Sequence, residues 1–291
     1  MQQYRDYAKF YDKKGSLMNY RHIYHAGNFA DVFKHICLTA ILLHLKKKAA
    51  PFCFLDVQAG IGLYDLQSVE AQKTKEYGNG IQKIWAQKKM PELIQTYLTI
   101  IQQYNKNKRA SRDLSLQKDE LHFYPGSPFI AKNLLRKQDR LILCELHTED
   151  YVSLKNYFAH DKQVNVHHQD AYLALNAFLP PKEKRGLVLI DPSYEIENEF
   201  EKIIGHLLLA LKKWPAGIYA LWYPIKINQP INFFLNQFKP IKQPILRLET
   251  HIKSNTEEGL IGCGMIVINP PWQMETALLP AIKWIEEILK N

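Results

Sequence analysis

The chain has few of the features that mark an extracellular, metal-bound or membrane protein. It holds four cysteines in 291 residues, Cys37, Cys53, Cys144 and Cys263, far apart and each among apolar neighbours. No C-x-x-C occurs and no Cys/His pair has zinc-finger spacing, so a disulfide framework and a zinc site are not expected. Free buried thiols in a reducing compartment are the natural reading. Met1-Gln2-Gln3-Tyr4-Arg5-Asp6 lacks the apolar stretch of a signal peptide, and no apolar run approaches bilayer-spanning length. A cytoplasmic protein with no membrane partner follows as an expectation. Repeats and low-complexity tracts are missing too. Acids are in the minority, with 29 Asp and Glu against 38 Lys and Arg, and the resulting net charge of +9 favours an anionic partner such as nucleic acid. Many basic proteins bind none.

What is present describes an ordinary globular chain, 46% hydrophobic and 23% charged, long enough to bury a full core. Residues 1–19 are polar and aromatic without periodicity and read as an N-terminal extension to a domain over 20–291. From Asn28, a plausible N-cap, Ala30, Phe33, Cys37, Ala40, Ile41 and His44 recur at helical spacing, with Lys46, Lys47 and Lys48 at the negative end of the helix dipole. A strand over 52–57 follows, then the turn Gln58-Ala59-Gly60-Ile61-Gly62. Residues 65–139 are too long for one crossover helix, and an insertion is placed at about 65–122. Two helical stripes, the second opened by Pro91, predict an inserted helical subdomain, and the basic stretch 105–118 is either a solvated loop or an RNA contact.

Tyr124-Pro125-Gly126-Ser127-Pro128 reads as a turn handing over to a helix, with Ser127 as N-cap and Pro128 at the first helical position. Strands are expected over 141–144, 164–166, 187–190 and 218–223, with amphipathic helices between them. An antiparallel pair over 245–252 and 265–268 and a last helix with Ile282, Ile285, Ile288 and Leu289 close the chain. Strands alternating with helices predict a mostly parallel, right-handed α/β sheet.

Four acids end four successive strands: Asp56, Glu145, Asp170 and Asp191. In open α/β sheets that edge is where ligands bind. A nucleoside-bearing cofactor needs a glycine turn for close approach, a carboxylate for the ribose hydroxyls and a polar group for the adenine edge. Asp56 with Gly60 and Gly62, then Glu145, then Asp170 supply these in chain order. A lone G-x-G is also an ordinary turn, and the third glycine of G-x-G-x-x-G is missing, which argues against a nicotinamide dehydrogenase. Asp191-Pro192-Ser193-Tyr194 adds an acid, a φ-restricting proline and a ring at the end of a wholly apolar strand. By itself it is equally an Asp-Pro turn.

These runs resemble the Rossmann-like S-adenosylmethionine-dependent methyltransferases, and more closely the bacterial large-subunit rRNA methyltransferase J family. The likeness rests on Tyr20-Arg21-His22, His25-Ala26-Gly27-Asn28, Lys34-His35, Ala59-Gly60, Tyr124 to Pro128, Glu145-Leu146-His147, Leu189 to Pro192, Tyr219 to Pro224 and Gly264 to Trp272. The resemblance implies methyl transfer from S-adenosylmethionine to N6 of adenine 2030 in 23S rRNA, by a monomer that needs no metal. It implies that His35, Gln58, Gly60, Ser127, Glu145, Asp170, Ala171 and Asp191 line the cofactor site. Asp191 would be the catalytic acceptor, Pro192 and Tyr194 the acceptor loop, and Tyr20 the rRNA contact. Gln58 stands where the family has histidine, and Ser193 replaces the second proline of Asp-Pro-Pro-Tyr.

Asn269-Pro270-Pro271-Trp272 matches the amino-methyltransferase pattern better than the Asp191 loop does. Chain order favours Asp191, because the acceptor loop follows the fourth strand of that fold, and the Asn269 loop follows the last. His35 has a plain alternative as a helix histidine satisfied by Asp31 one turn earlier. Two other functions stay open at this point: amino-methylation of DNA or a protein amide, and a catalytically silent RNA-binding assembly factor.

Overall fold

A computed structural model describes residues 21–106, 120–195, 198–227, 231–253 and 259–290. The 1–19 extension, Tyr20 and nearly all of the basic stretch after Lys106 lie outside the described residues. A seven-stranded sheet forms the centre. Its strands are β1 (Cys53–Asp56), β4 (Arg140–Glu145), β5 (Val164–His168), β6 (Gly186–Ile190), β7 (Ile218–Lys226), β8 (Ile245–His251) and β9 (Leu260–Ile268). Their spatial order is β5-β4-β1-β6-β7-β9-β8, with β9 antiparallel to both neighbours and the first five strands mutually parallel.

β1 and β6 are buried along their whole length because they sit mid-sheet with helices on both faces, which is why they are continuous apolar runs rather than alternating ones. On one face lie α1 (Phe29–Lys46), α4 (Glu92–Lys106), α5 (Ser127–Leu134) and α10 (Met274–Lys290); on the other, α7 (Ala171–Ala177) and α8 (Glu199–Lys213). α1 starts where expected: the Asn28 side chain accepts from the Asp31 amide. Fifteen of its eighteen residues are buried, since both the sheet and neighbouring helices cover it. Among the described residues no helix is long and apolar enough to cross a membrane.

Three features differ from the sequence reading. Tyr124-Pro125 is not a turn but the end of a short strand, β3 (Phe123–Pro125), paired antiparallel with β2 (Leu63–Asp65). This ribbon returns the long excursion to its starting point, and the Gly126 amide donates to the Gly62 carbonyl at 2.7 Å. Second, the excursion helices α3 (Ile81–Trp85) and α4 bury Ile81, Ile84, Ile94 and Tyr97 in the same apolar core as Val32, Phe33 and Ile36 of α1. Third, β9 begins at Leu260, five residues before the expected strand. Gly262 and Gly264 weaken the strand signal there, yet Gly264 is required, because a Cβ would lie 2.1 Å from the Tyr223 ring.

Candidate active site

The carboxyl ends of the parallel strands open into one cavity of about 890 Å³. Its first wall is the turn after β1. Gly60 holds φ at 62°, a left-handed value that glycine adopts without a Cβ clash. That conformation aims the Gly60 amide at Glu145 Oε2, 2.7 Å away, while the His147 amide donates to Oε1 at the same distance. Burial pushes the Glu145 carboxyl above its ordinary range, and these two amides partly offset it. Asp170 caps α7, its Oδ1 accepting from the Tyr172 and Leu173 amides, and Ala171 continues the wall.

Asp56 is not at the surface of this wall. It is fully buried behind the turn, accepting from Ser127 Oγ at 2.6 Å and from the Gln58 amide at 3.2 Å. Burial raises its pKa to about 7. Ser127 is therefore not the N-cap of α5. Gly126 occupies that position without a side-chain bond, and the Ser127 hydroxyl ties the helix to β1 instead.

His35 lines the cavity from α1, and its partner is not Asp31. Its Nδ1 lies 2.6 Å from the Tyr124 hydroxyl, which lies 2.8 Å from the Tyr97 hydroxyl, all three fully buried. Among the described residues Tyr97 has only Tyr124 to donate to, so the proton order runs Tyr97 to Tyr124 to His35 Nδ1. This assigns the imidazole proton to Nε2. Burial and the Lys34 charge keep His35 neutral, holding its pKa well below the usual histidine value.

Asp191 lies at the end of β6, beside the first wall. Its amide donates to Gln58 Oε1 at 3.0 Å, so Gln58 fastens the acceptor loop to the glycine turn. Asp191 Oδ2 pairs with the Lys34 ammonium, which also reaches Asp31 Oδ1 at 2.8 Å. Asp31 in turn accepts from the Gly27 amide and from His22 Nε2. Burial alone would push Lys34 down and Asp31 up, but the opposite charges win and shift both the other way. Pro192 is buried, and Tyr194 adopts φ 56° with its hydroxyl on the Trp222 carbonyl at 2.6 Å and its ring 4.5 Å from Phe200.

The structure thus brings His35, Gln58, Gly60, Ser127, Glu145, Asp170, Ala171, Asp191, Pro192 and Tyr194 around one cavity. Sequence reasoning missed Asp31 and Lys34. Their signal was two charges at i and i+3 on a helix whose neighbouring positions are apolar, a pattern that solvated faces do not give. Asn269 is elsewhere. Because β9 is antiparallel, its end lies at the amino edge of the parallel strands, where Asn269 Nδ2 donates to the Pro215 and Gly217 carbonyls.

A family model described as "Ribosomal RNA large subunit methyltransferase D, RlmJ" matches residues 49–291. The chain is 38% identical over 275 residues to ribosomal RNA large subunit methyltransferase J of Escherichia coli, covering 94% of each chain. It is 39% identical over 275 residues, again 94% of each, to the protein of that name from Haemophilus influenzae. A crystal structure of protein LPL1258 from Legionella pneumophila is similar with a TM-score of 0.82 at 39% identity, covering 91% of this chain and 94% of that one.

Proposed function

The chain belongs to the bacterial ribosomal RNA large subunit methyltransferase J family, and on that footing we propose that it methylates N6 of an adenine in 23S rRNA, the adenine numbered 2030, using S-adenosylmethionine. The observation that best supports this reading is the continuity of one cavity from Gly60, Glu145 and Asp170 to the Asp191 loop. A methyl donor and an acceptor base can share it.

The donor set fits the cofactor. Glu145 accepts the Gly60 amide on one oxygen and the His147 amide on the other, and its remaining acceptor capacity suits ribose hydroxyls. Asp170 faces the same cavity as an acceptor for an adenine amine, and neutral His35 offers its Nε2–H to a carboxylate. Bound S-adenosylmethionine supplies a methyl group on a positively charged sulfur.

An exocyclic adenine amine has its lone pair spread into the ring and attacks poorly. Asp191 and the Pro192 carbonyl accept its two protons as hydrogen bonds, drawing the nitrogen toward sp³ geometry and stabilising the charge that develops on it. Lys34 holds Asp191 Oδ2, which leaves Oδ1 for the amine, and Gln58 holds the Asp191 amide. The loop is then fixed from two sides before the base arrives. Tyr194 lines the same cavity and is the ring against which a base turned out of its helix would stack, a contact worth about 1–3 kcal/mol.

The test is incubation with labelled S-adenosylmethionine and 23S rRNA from cells lacking the modification, followed by mapping of the methyl group. A methyl on adenine N6 supports the proposal. A methyl on another atom, or preference for duplex DNA or a protein amide, refutes it, and cofactor binding without transfer would mark a silent assembly factor.

A further inference from the structure

Among the described residues, the positive charge does not gather where the chemistry is. Among the described residues, nine carboxylates and two lysines, Lys34 and Lys226, line the cavity, so its walls hold few cations to grip a phosphate backbone. The opposite edge of the sheet has the reverse character. The starts of β4, β1 and β6 are adjacent, with Cys53 in register with both Arg140 and Gly186, so the loops that precede them lie side by side.

Guanidinium groups bind these loops into one surface. Arg136 donates to the carbonyls of Lys46, Lys48 and Ala50, and Arg185 to those of Leu45 and Ala50. Both guanidiniums also pack near the ring of buried Phe52, at 5.6 and 5.8 Å. The two acids in these loops are spent, Asp139 on Arg136 and Glu183 on Arg140. Lys47, Lys48, Lys137, Lys182 and Lys184 are left exposed on a rigid platform, with no carboxylate free to neutralise them within the loops.

We propose that this amino edge is a second RNA-binding surface, which grips phosphates of the substrate rRNA remote from the target base. The partner's identity rests on the rRNA reading above; the surface itself rests on geometry. A strand of five residues spans about 17 Å, so the lysines stand roughly 20 Å or more from Asp191. A short hairpin that only fills the cavity does not reach them. A longer RNA that folds around the side of the sheet does, and gains there the phosphate contacts that the cavity walls do not supply.

The experiment compares the wild-type chain with Lys47→Glu/Lys48→Glu/Lys182→Glu/Lys184→Glu, four exposed positions whose side chains hold nothing else in place. Binding of a long 23S rRNA domain and of a short hairpin carrying the target adenine is measured between about 50 and 200 mM salt. Each lost phosphate contact removes roughly 0.7–0.9 from the slope of log affinity against log salt. The long RNA is expected to lose about 2–3 in slope and tenfold or more in affinity, while methylation of the hairpin keeps its kcat and KM. An unchanged slope for the long RNA overturns the proposal, as does an equal loss on the hairpin. Capture of anionic phospholipid vesicles by these lysines, with no effect on long RNA, overturns it as well. If the hairpin is not methylated even by wild type, the reaction assigned above fails, and the long-RNA slope still decides this surface.

Discussion

At the scale of single residues, the site is a set of charges and hydrogen bonds with little slack. Asp191→Ala is expected to retain the fold and much of the cofactor affinity yet lose methyl transfer by roughly 10²–10⁴. Asn269→Ala should methylate at the wild-type rate while losing about 1–2 kcal/mol of stability, because two carbonyls lose their donor and alanine is placed at φ 54°. Single-turnover methylation beside urea unfolding separates the two, and inactivity of Asn269→Ala with full activity of Asp191→Ala would reverse the assignment. The Tyr97-Tyr124-His35 chain makes a second prediction. Tyr124→Phe leaves His35 Nδ1 without a partner in a buried site, so nitrogen NMR should find the imidazole proton divided between Nδ1 and Nε2, and cofactor affinity should fall about tenfold. A single Nε2 tautomer in that variant would remove Tyr124 from the relay.

At the scale of elements, the end of β1 couples to α5 through one proton. Asp56 ionises near 3.8 when unfolded, and burial raises this to about 7 in the fold. A raised folded value means that its stabilising contribution is complete below the unfolded pKa and is lost as pH rises through the folded one. Stability should therefore decline between about pH 4 and about pH 7 on this account, by at most about 4 kcal/mol. Asp56→Asn removes the titration while keeping an acceptor for the Gln58 amide and a donor for Ser127. Thermal melts should show the variant gaining on wild type as pH rises across that window. A constant gap would mean that Asp56 is already ionised in the fold. Asn269 shows the same scale from another side, since the antiparallel direction of β9, not distance alone, takes its loop away from the cavity.

At the scale of the whole molecule, ligand binding and stability are linked. A cofactor that binds only the folded chain, at 100 times its dissociation constant, adds about 2.7 kcal/mol. For a domain of this length that is a rise of several degrees in Tm. Glu145→Ala should weaken cofactor binding by roughly 1–3 kcal/mol and erase most of that rise, because the Gly60 amide and the ribose hydroxyls lose a shared acceptor. A thermal shift equal to that of wild type would exclude Glu145 from cofactor binding.

Order along the chain was enough for much of this. Buried strands read as apolar runs because nothing polar is tolerated between two helical layers, and an acid at the end of such a run stands out against them. That contrast placed Glu145 and Asp191 at the carboxyl edge, the alternation of strands and helices added Asp170, and chain order separated Asp191 from the better-matching Asn269 motif. Other features depend on partners distant in sequence, and no local pattern encodes those. His35 reaches Tyr124, 89 residues away, rather than Asp31. Ser127 holds Asp56 instead of capping its own helix, because it stands one residue inside the helix, after the N-cap Gly126, where its hydroxyl meets the buried carboxyl. Lys34 is a helix lysine by sequence, and becomes the partner of Asp191 only when α1 packs beside β6. The segregation of acids to one edge and lysines to the other has the same origin: strand direction decides which end of each loop faces the cavity, and direction is set by how the sheet is assembled.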